Sequence, residues 1–197
     1  IFDKQHIIME IPKNALYKNL EFEYQVKDTL RGAITPVYHL HNDYTPLHNY
    51  ITVSIKPGRI SEELRSKAVI VNIDRNGRLY SRGGEWRNNY LTAKSKVFGG
   101  YTIMIDSIPP AIKPYNIFAN KNMSKNSSII ISIADNLSGI KSYRGEIDGK
   151  WVLLDFESKK AHLTHVFDNL SAGSHIFKLT VTDDVGNNTI TEIPFTR

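Results

Sequence analysis

The chain has 197 residues, of which 41% are hydrophobic and 23% charged, a balance typical of a soluble globular protein rather than a disordered one. It has no cysteine, which excludes a disulfide framework and every thiolate-ligated zinc or iron–sulfur site. The net charge of +5 comes from scattered basic residues, so no nucleic-acid partner is predicted. No apolar run reaches the ~20 residues that a membrane span needs. The chain opens on Ile1 without a signal-peptide pattern, which indicates a processed protein or a piece of a longer one.

Period-two alternation of apolar and polar residues dominates the chain. It runs without interruption through residues 20–27 (LEFEYQVK) and recurs at 51–56, 129–133 and 177–181. Because successive side chains of a strand point to opposite faces, such segments bury one face and expose the other, as in antiparallel sheets. Only residues 61–65 carry a helical signal, and it is one or two turns long. The predicted fold class is therefore all-β, with two tandem antiparallel β-sandwiches.

A proline-rich segment marks the predicted domain boundary. Three prolines between residues 109 and 114 stiffen the chain and remove backbone hydrogen-bond donors. We therefore predict a β-sandwich domain over residues 1–106, a linker over 107–114, and an Ig-like or fibronectin-like β-sandwich domain over 115–197.

A hairpin in the second half is specified by its turn. Asp148-Gly149 lies between two strand-like runs, which predicts a two-residue turn and fixes the register of the strands on either side. Ile147 then pairs with Lys150 and Glu146 with Trp151, and the register continues to the pairs Gly145–Val152, Arg144–Leu153 and Tyr143–Leu154. The predicted core face carries Tyr143, Ile147, Val152, Leu154 and Phe156.

The opposite face of this hairpin carries Arg144, Glu146, Trp151 and Leu153. Trp151 and Leu153 are too apolar for an ordinary solvated face. Two interpretations stay open: these residues and Arg144 contact a neighbouring domain or a ligand, or Arg144 lies over the indole ring and shields it.

Two aspartate-rich segments, residues 135–139 (DNLSG) and 183–187 (DDVGN), read as turns in which Asp and Asn bind their own backbone. A calcium site built from their carboxylates is the alternative. Calcium needs six or more converging oxygens, and no Asp-x-Asp-x-Asp array is present. The sequence therefore favours turns and leaves calcium open.

The second half also resembles a known kind of module. Residues 135–152 (DNLSGIKSYRGEIDGKWV) are similar to the C-terminal Ig-like module of bacterial envelope proteins that carry a lysostaphin-type (LytM-type) zinc peptidase domain ahead of it. Residues 177–187 (FKLTVTDDVGN) resemble the closing hairpin of bacterial Ig-like and fibronectin-like domains. The resemblance implies the C-terminal part of an exported metallopeptidase, in the periplasm or at the cell surface, whose catalytic domain lies before residue 1.

The first half resembles a different family. Residues 11–16 (IPKNAL), 46–55 (PLHNYITVSI) and 98–101 (FGGY) follow one another as in the β-sandwich of ankyrin spectrin-binding regions and netrin receptors. This similarity implies an interaction or spacer module with no catalytic residues.

One histidine spacing is compatible with a metal. His39 and His41 share a face of a regular strand and could bind one zinc ion, with His48 returning on an adjacent strand as a third ligand. The lysostaphin-type peptidases use such a His-x-His pair, but they also need an upstream histidine and an aspartate a few residues beyond it. The only upstream histidine is His6, and no aspartate follows it before Asp28, so the catalytic set is missing.

The favoured interpretation of this segment is structural: Tyr38 and Leu40 point inward while His39 and His41 point outward. The sequence contains no phosphate loop and no Gly-x-Ser-x-Gly elbow. Trp86, Tyr80 and Tyr90 flank Gly83-Gly84 and could form an aromatic sugar platform, although core or edge packing is the commoner role of such residues.

The sequence therefore predicts a non-catalytic accessory region of an exported bacterial envelope protein, without a cofactor. Its predicted partner is its own catalytic domain or an envelope protein or glycan. The alternative is a stand-alone carbohydrate-binding or adhesion module, and a third interpretation is a zinc enzyme built on His39 and His41.

Overall fold

The structure is a computed structural model that describes all residues, 1–197. The chain divides into two compact units, Ile1–Ser107 and Ile108–Arg197. Each unit is a sandwich of two β-sheets, so the predicted all-β class with two tandem sandwiches is confirmed. The single helix has four residues, and no helix is long and apolar enough to cross a membrane.

The first unit contains ten strands and the helix. Its elements are β1 (Phe2–Lys4), β2 (Ile7–Glu10), β3 (Tyr24–Lys27), β4 (Val37–Leu40), β5 (Ile51–Ile55), α1 (Glu62–Arg65), β6 (Ala68–Ile73), β7 (Leu79–Ser81), β8 (Glu85–Arg87), β9 (Tyr90–Ser95) and β10 (Gly99–Ile105). One sheet has the strand order β1-β2-β5-β9-β8 and the other β3-β4-β10-β6-β7.

The core of the first unit lies between these two sheets. The alternation in β5 buries Ile51, Val53 and Ile55, and they meet Leu40 and Tyr101 from the opposite sheet. Fully burying one such apolar side chain contributes about 1.5–3 kcal/mol, so this layer is the main source of the unit's stability. The apolar side chains of the alternating segment that begins at Leu20 also pack against this core, but the regular strand begins only at Tyr24.

The second unit contains nine strands. They are β11 (Ala111–Pro114), β12 (Lys121–Asn122), β13 (Ser128–Ala134), β14 (Ile140–Ile147), β15 (Lys150–Val152), β16 (Asp155–Glu157), β17 (His162–Val166), β18 (Ser174–Asp183) and β19 (Asn188–Thr196). The sheets have the orders β11-β13-β17-β16 and β12-β19-β18-β14-β15, and every pairing is antiparallel except the short one between β12 and β19. Its core joins the inner faces of β13 and β18 through Ile129, Ile131, Phe177 and Leu179.

The segment assigned to a linker is only partly one. Its second half, Ala111–Pro114, is strand β11 and pairs with β13. Proline lacks the N–H that a central strand would need, but β11 is an edge strand with a partner on one side only, and prolines are tolerated there. The proline content of this segment shows that backbone N–H donors are missing, but it does not distinguish an edge strand from a linker.

The predicted hairpin is present with the predicted register. Ile147 pairs with Lys150, Glu146 with Trp151 and Gly145 with Val152. The predicted pairs Arg144–Leu153 and Tyr143–Leu154 are absent, because β15 ends at Val152 and the chain crosses to the other sheet as β16.

This early crossing changes the predicted core face. Ile147 and Leu154 are buried and Val152 packs against the core, but Tyr143 and Phe156 remain substantially exposed. Their rings contact each other, with centroids 5.9 Å apart. The two strands that carry these rings belong to different sheets, so the rings meet at the open edge of the sandwich rather than inside it.

Candidate functional site

The hairpin β14–β15 presents an exposed apolar surface on the second sandwich. Asp148 and Gly149 both have left-handed backbone conformations, with φ of 51° and 75°, as a tight two-residue hairpin turn requires. The carboxylate of Asp148 accepts hydrogen bonds from the backbone N–H of Ile176 at 2.8 Å and from Nδ1 of His175 at 2.7 Å. The turn is thereby tied to β18, and the hairpin is held rigidly beside it.

Trp151 and Leu153, which we call the Trp151 surface, are each 59% exposed. The shielding by Arg144 that the sequence left open is absent: Nε of Arg144 donates to Glu146 at 2.6 Å, and no cation lies over the Trp151 ring. The indole is therefore a free aromatic face at the edge of the sheet, available to an apolar contact or to a sugar ring.

The strands next to this surface carry charges that are already paired. Trp151 lies opposite Glu146, which in turn lies opposite Lys178, and Lys178 bonds to Glu192 at 3.0 Å. This contact with Glu192 also raises the pKa of Lys178. A partner that binds the Trp151 surface would contact apolar side chains, and the charged side chains at its border are already ion-paired.

The three candidate zinc ligands do not form one site. The backbone of His41 has a left-handed φ of 57°, which breaks the strand alternation and buries its ring against Phe98 at 5.5 Å. The expectation that both histidines point outward is therefore wrong for His41, whereas Tyr38 and Leu40 are buried as predicted. Nε2 of His41 accepts a hydrogen bond from the Asn42 amide at 3.0 Å.

His48 stacks edge-on against a different ring, that of Tyr17, at 5.3 Å. No histidine of the chain belongs to a group of three or more converging side chains that could hold a metal ion. A catalytic zinc needs three protein ligands and an open position, so the residues present do not fit the zinc-enzyme interpretation.

His39 instead lines an open groove of about 410 Å³ on the outer face of the β3–β4–β10–β6 sheet. The groove exists because Gly100 has no side chain between His39 and Ile73, its neighbours in register. Burial, and then the charge of Lys27, lower the pKa of His39, which keeps the imidazole neutral at pH 7. Sequence patterning does not reveal this groove, since a single glycine in a strand is its only signal.

The three aromatic residues around Gly83-Gly84 do not share one sheet, which disfavours the alternative of an aromatic sugar platform. Tyr80 lies on β7 in one sheet, whereas Trp86 and Tyr90 lie on β8 and β9 in the other, because the chain changes sheets between them. One face of Trp86 is covered by the guanidinium of Arg65, 4.1 Å from the ring centroid.

The two aspartate turns lie side by side in the second sandwich. The backbone N–H of Asp184 donates to the carbonyl of Gly139 at 3.1 Å, and the carboxylates of Asp135 and Asp183 come within 4.8 Å of each other. Each carboxylate accepts backbone N–H groups of its own turn, as predicted, while Oδ1 of Asp135 is buried without a hydrogen-bond partner. Calcium binding at these turns stays an alternative prediction.

Comparison with known proteins bears on the first unit most directly. Residues 1–106 match the Zu5-like domain family. No curated protein sequence matches the chain. Among solved structures, fibronectin(III)-like modules of Clostridium thermocellum CbhA are similar over 75% of this chain and 85% of their own, with 17% identity and a TM-score of 0.35. A polysaccharide lyase is similar over 98% of this chain but only 30% of its own, with 10% identity and a TM-score of 0.29.

Proposed function

The chain belongs to the Zu5-like family through residues 1–106, and from this premise we propose that it is a non-catalytic accessory and interaction region of an exported bacterial envelope protein. It acts outside the cytoplasm, in the periplasm or at the cell surface. Its partner is its own catalytic domain or another envelope component. In line with the resemblance of residues 135–152, we propose that the parent protein is a peptidoglycan-type zinc metallopeptidase.

The observation that carries this proposal is the Trp151 surface. Trp151 is exposed beside the exposed Leu153, and tryptophan is among the residues that most often anchor protein interfaces. The hairpin that presents Trp151 is tied to β18 through Asp148, which limits the conformational entropy that Trp151 loses when a partner binds. The chain's histidines, in contrast, belong to no group of three or more side chains that could hold a metal ion.

A carbohydrate-binding or adhesion module is the second candidate, and the same indole favours it. Sugar rings bind exposed aromatic faces through their apolar C–H groups, and Trp151 offers such a face. The two candidates differ in the partner: a protein interface uses Trp151 and Leu153 together, whereas a sugar platform depends mainly on the indole.

A binding experiment with matched variants separates them. The full chain is tested for cosedimentation with peptidoglycan sacculi, for binding to a glycan array, and for association with the domain encoded before residue 1 in its reading frame. The variants are Trp151→Ala, Leu153→Ser, and Tyr115→Ala as the control, since Tyr115 is 73% exposed on the opposite sheet of the same sandwich.

We expect Trp151→Ala and Leu153→Ser to weaken association with the parent protein or another envelope protein, while Tyr115→Ala does not. Glycan binding lost in Trp151→Ala and retained in Leu153→Ser would establish the carbohydrate module instead. A reading frame without a peptidase domain before residue 1 would refute the peptidase parentage. Equal behaviour of all three variants would refute a role for the Trp151 surface.

A further inference from the structure

A second pocket, at the β8 edge of the first sandwich, is lined by basic side chains and by no acidic one. It has a volume of about 250 Å³ and is built from the segment between β5 and α1, the end of α1, and the β8–β9 turn. Its three cations are Lys56, Arg59 and Arg65, and we call it the basic pocket. Trp86 and Asn89 complete the wall opposite the β5–α1 segment.

Arg65 is positioned before any ligand arrives. Its guanidinium lies 4.1 Å from the centroid of the Trp86 ring, and the indole N–H donates to the backbone carbonyl of Arg65 at 2.8 Å. The Arg65 side chain is only 25% exposed. Its one acidic contact, Glu62, is 3.6 Å away and almost fully in solvent, so water screens the pair strongly. A stacked and partly buried guanidinium keeps its hydrogen-bonding edge ready for an oxyanion.

The other two cations lack compensating charge. The side chain of Arg59 makes no hydrogen bond or ion pair, and the ammonium of Lys56 lies 5.9 Å from the centroid of the Tyr90 ring. Like charges that share a pocket repel each other, and a bound anion relieves that repulsion. The chain places three positive charges here without a carboxylate in the wall, although it contains 20 acidic residues.

We propose that the basic pocket binds a phosphate or sulfate group. A phosphate or sulfate group carries one or two negative charges and at least three acceptor oxygens, which suits three cations that line one pocket better than a single carboxylate does. The group can come from a free anion or from an anionic surface polymer. The inference concerns the first sandwich and is independent of the Trp151 surface, so either proposal can fail without the other.

The test uses the fluorescence of Trp86 in the full chain. Trp151→Phe leaves Trp86 as the only tryptophan, and its ring forms part of the pocket wall. Sodium pyrophosphate, sodium sulfate, dextran sulfate and polyphosphate are titrated at constant ionic strength, with sodium chloride as the reference salt. Tighter binding of the polymers per anionic group than of the free ions identifies a polymer-borne group, and equal binding identifies a free anion.

Arg59→Gln is the diagnostic variant, because Arg59 is exposed and its replacement breaks no ion pair. Arg87→Gln is the matched control: Arg87 lies on the same edge strand β8, is paired with Glu85 at 2.7 Å, does not line the pocket, and its replacement changes the net charge equally. We expect saturable binding that Arg59→Gln weakens about tenfold, the typical effect of losing one charge-assisted hydrogen bond, and that Arg87→Gln leaves nearly unchanged. Equal weakening in both variants, or no saturable response beyond that to sodium chloride, would overturn the proposal.

Discussion

His175 lies between two hydrogen-bond acceptors, which makes the stability of the second sandwich depend on pH. Its Nδ1 is 2.7 Å from the Asp148 carboxylate, and its Nε2 is 2.9 Å from the carbonyl oxygen of Ser171. A carboxylate and a carbonyl only accept hydrogen bonds, so both contacts are satisfied only when both ring nitrogens carry a proton, and the site favours the positively charged ring. The hydrogen bond to Asp148 accordingly raises the pKa of His175, against the opposing effect of burial, and the same bond lowers the pKa of Asp148.

The substitution Asp148→Asn removes this charge pair and little else. Asparagine tolerates the left-handed backbone of the turn and keeps an oxygen for the N–H of Ile176. A hydrogen bond to a charged group contributes about 1.5–3 kcal/mol, whereas a fully exposed ion pair contributes about 0–1 kcal/mol. Because the ring of His175 is buried but the side chain of Asp148 is 45% exposed, we expect the pair to contribute about 1.5 kcal/mol.

The direction of the pH effect follows from the two pKa shifts. The pKa of His175 is raised on folding, so its contribution is complete below the unfolded-state pKa of about 6.5 and is lost as pH rises through the folded-state value. The pKa of Asp148 is lowered, so its contribution is present above about pH 4 and is lost as pH falls through the folded-state value. The charge of Arg197 also acts on His175, and the charge of Lys150 also acts on Asp148.

The assay is urea unfolding of the full chain at pH 6 and pH 9. In a Trp86→Phe background, Trp151 alone reports on the second sandwich. We expect the free energy of unfolding of this unit to be about 1.5 kcal/mol lower at pH 9 than at pH 6, with most of this difference absent in Asp148→Asn. Equal stability at the two pH values, or a difference that Asp148→Asn leaves intact, would show that the His175 contact does not control stability.

Three further predictions concern the first sandwich. The buried Tyr101 hydroxyl bonds to Ser95 at 2.8 Å and to the carbonyl of Val97, and burial raises its pKa to about 12. Tyr101→Phe removes both hydrogen bonds, while Ser95 and Val97 keep the hydrogen bonds that they make to each other. It should cost about 0.5–1.5 kcal/mol in thermal unfolding, so an unchanged midpoint would contradict the hydrogen bonds of the hydroxyl. Gly84→Ala places a Cβ 2.7 Å from a side-chain carbon of the buried Leu91 and should cost about 1–3 kcal/mol, whereas Gly58→Ala, with nothing within 4 Å, should cost far less. Elemental analysis of the chain purified without chelator should find no stoichiometric zinc, and a turnover assay should find no peptidoglycan hydrolysis. Near-equimolar zinc that disappears in a His39→Ala, His41→Ala variant would revive the enzyme interpretation.

Local patterns determined the fold class and one strand register of this protein. The alternation in β5 and β13 is reproduced residue by residue in their burial, because the side-chain period of a strand is a property of the backbone itself. The Asp148-Gly149 turn fixed the register of β14 and β15, since only a few backbone geometries close a two-residue loop. Both signals act between neighbours in the chain, so the sequence alone contains them.

The candidate sites depended on tertiary structure. The left-handed backbone at His41 separates it from His39, and the change of sheet after β7 separates Tyr80 from Trp86, although the residues are close in sequence. The basic pocket shows the converse, because it joins Arg59 to Trp86 across 27 positions of the chain. Which side chains converge depends on how the sheets pair and pack, and that pairing is decided by the whole core rather than by any one segment.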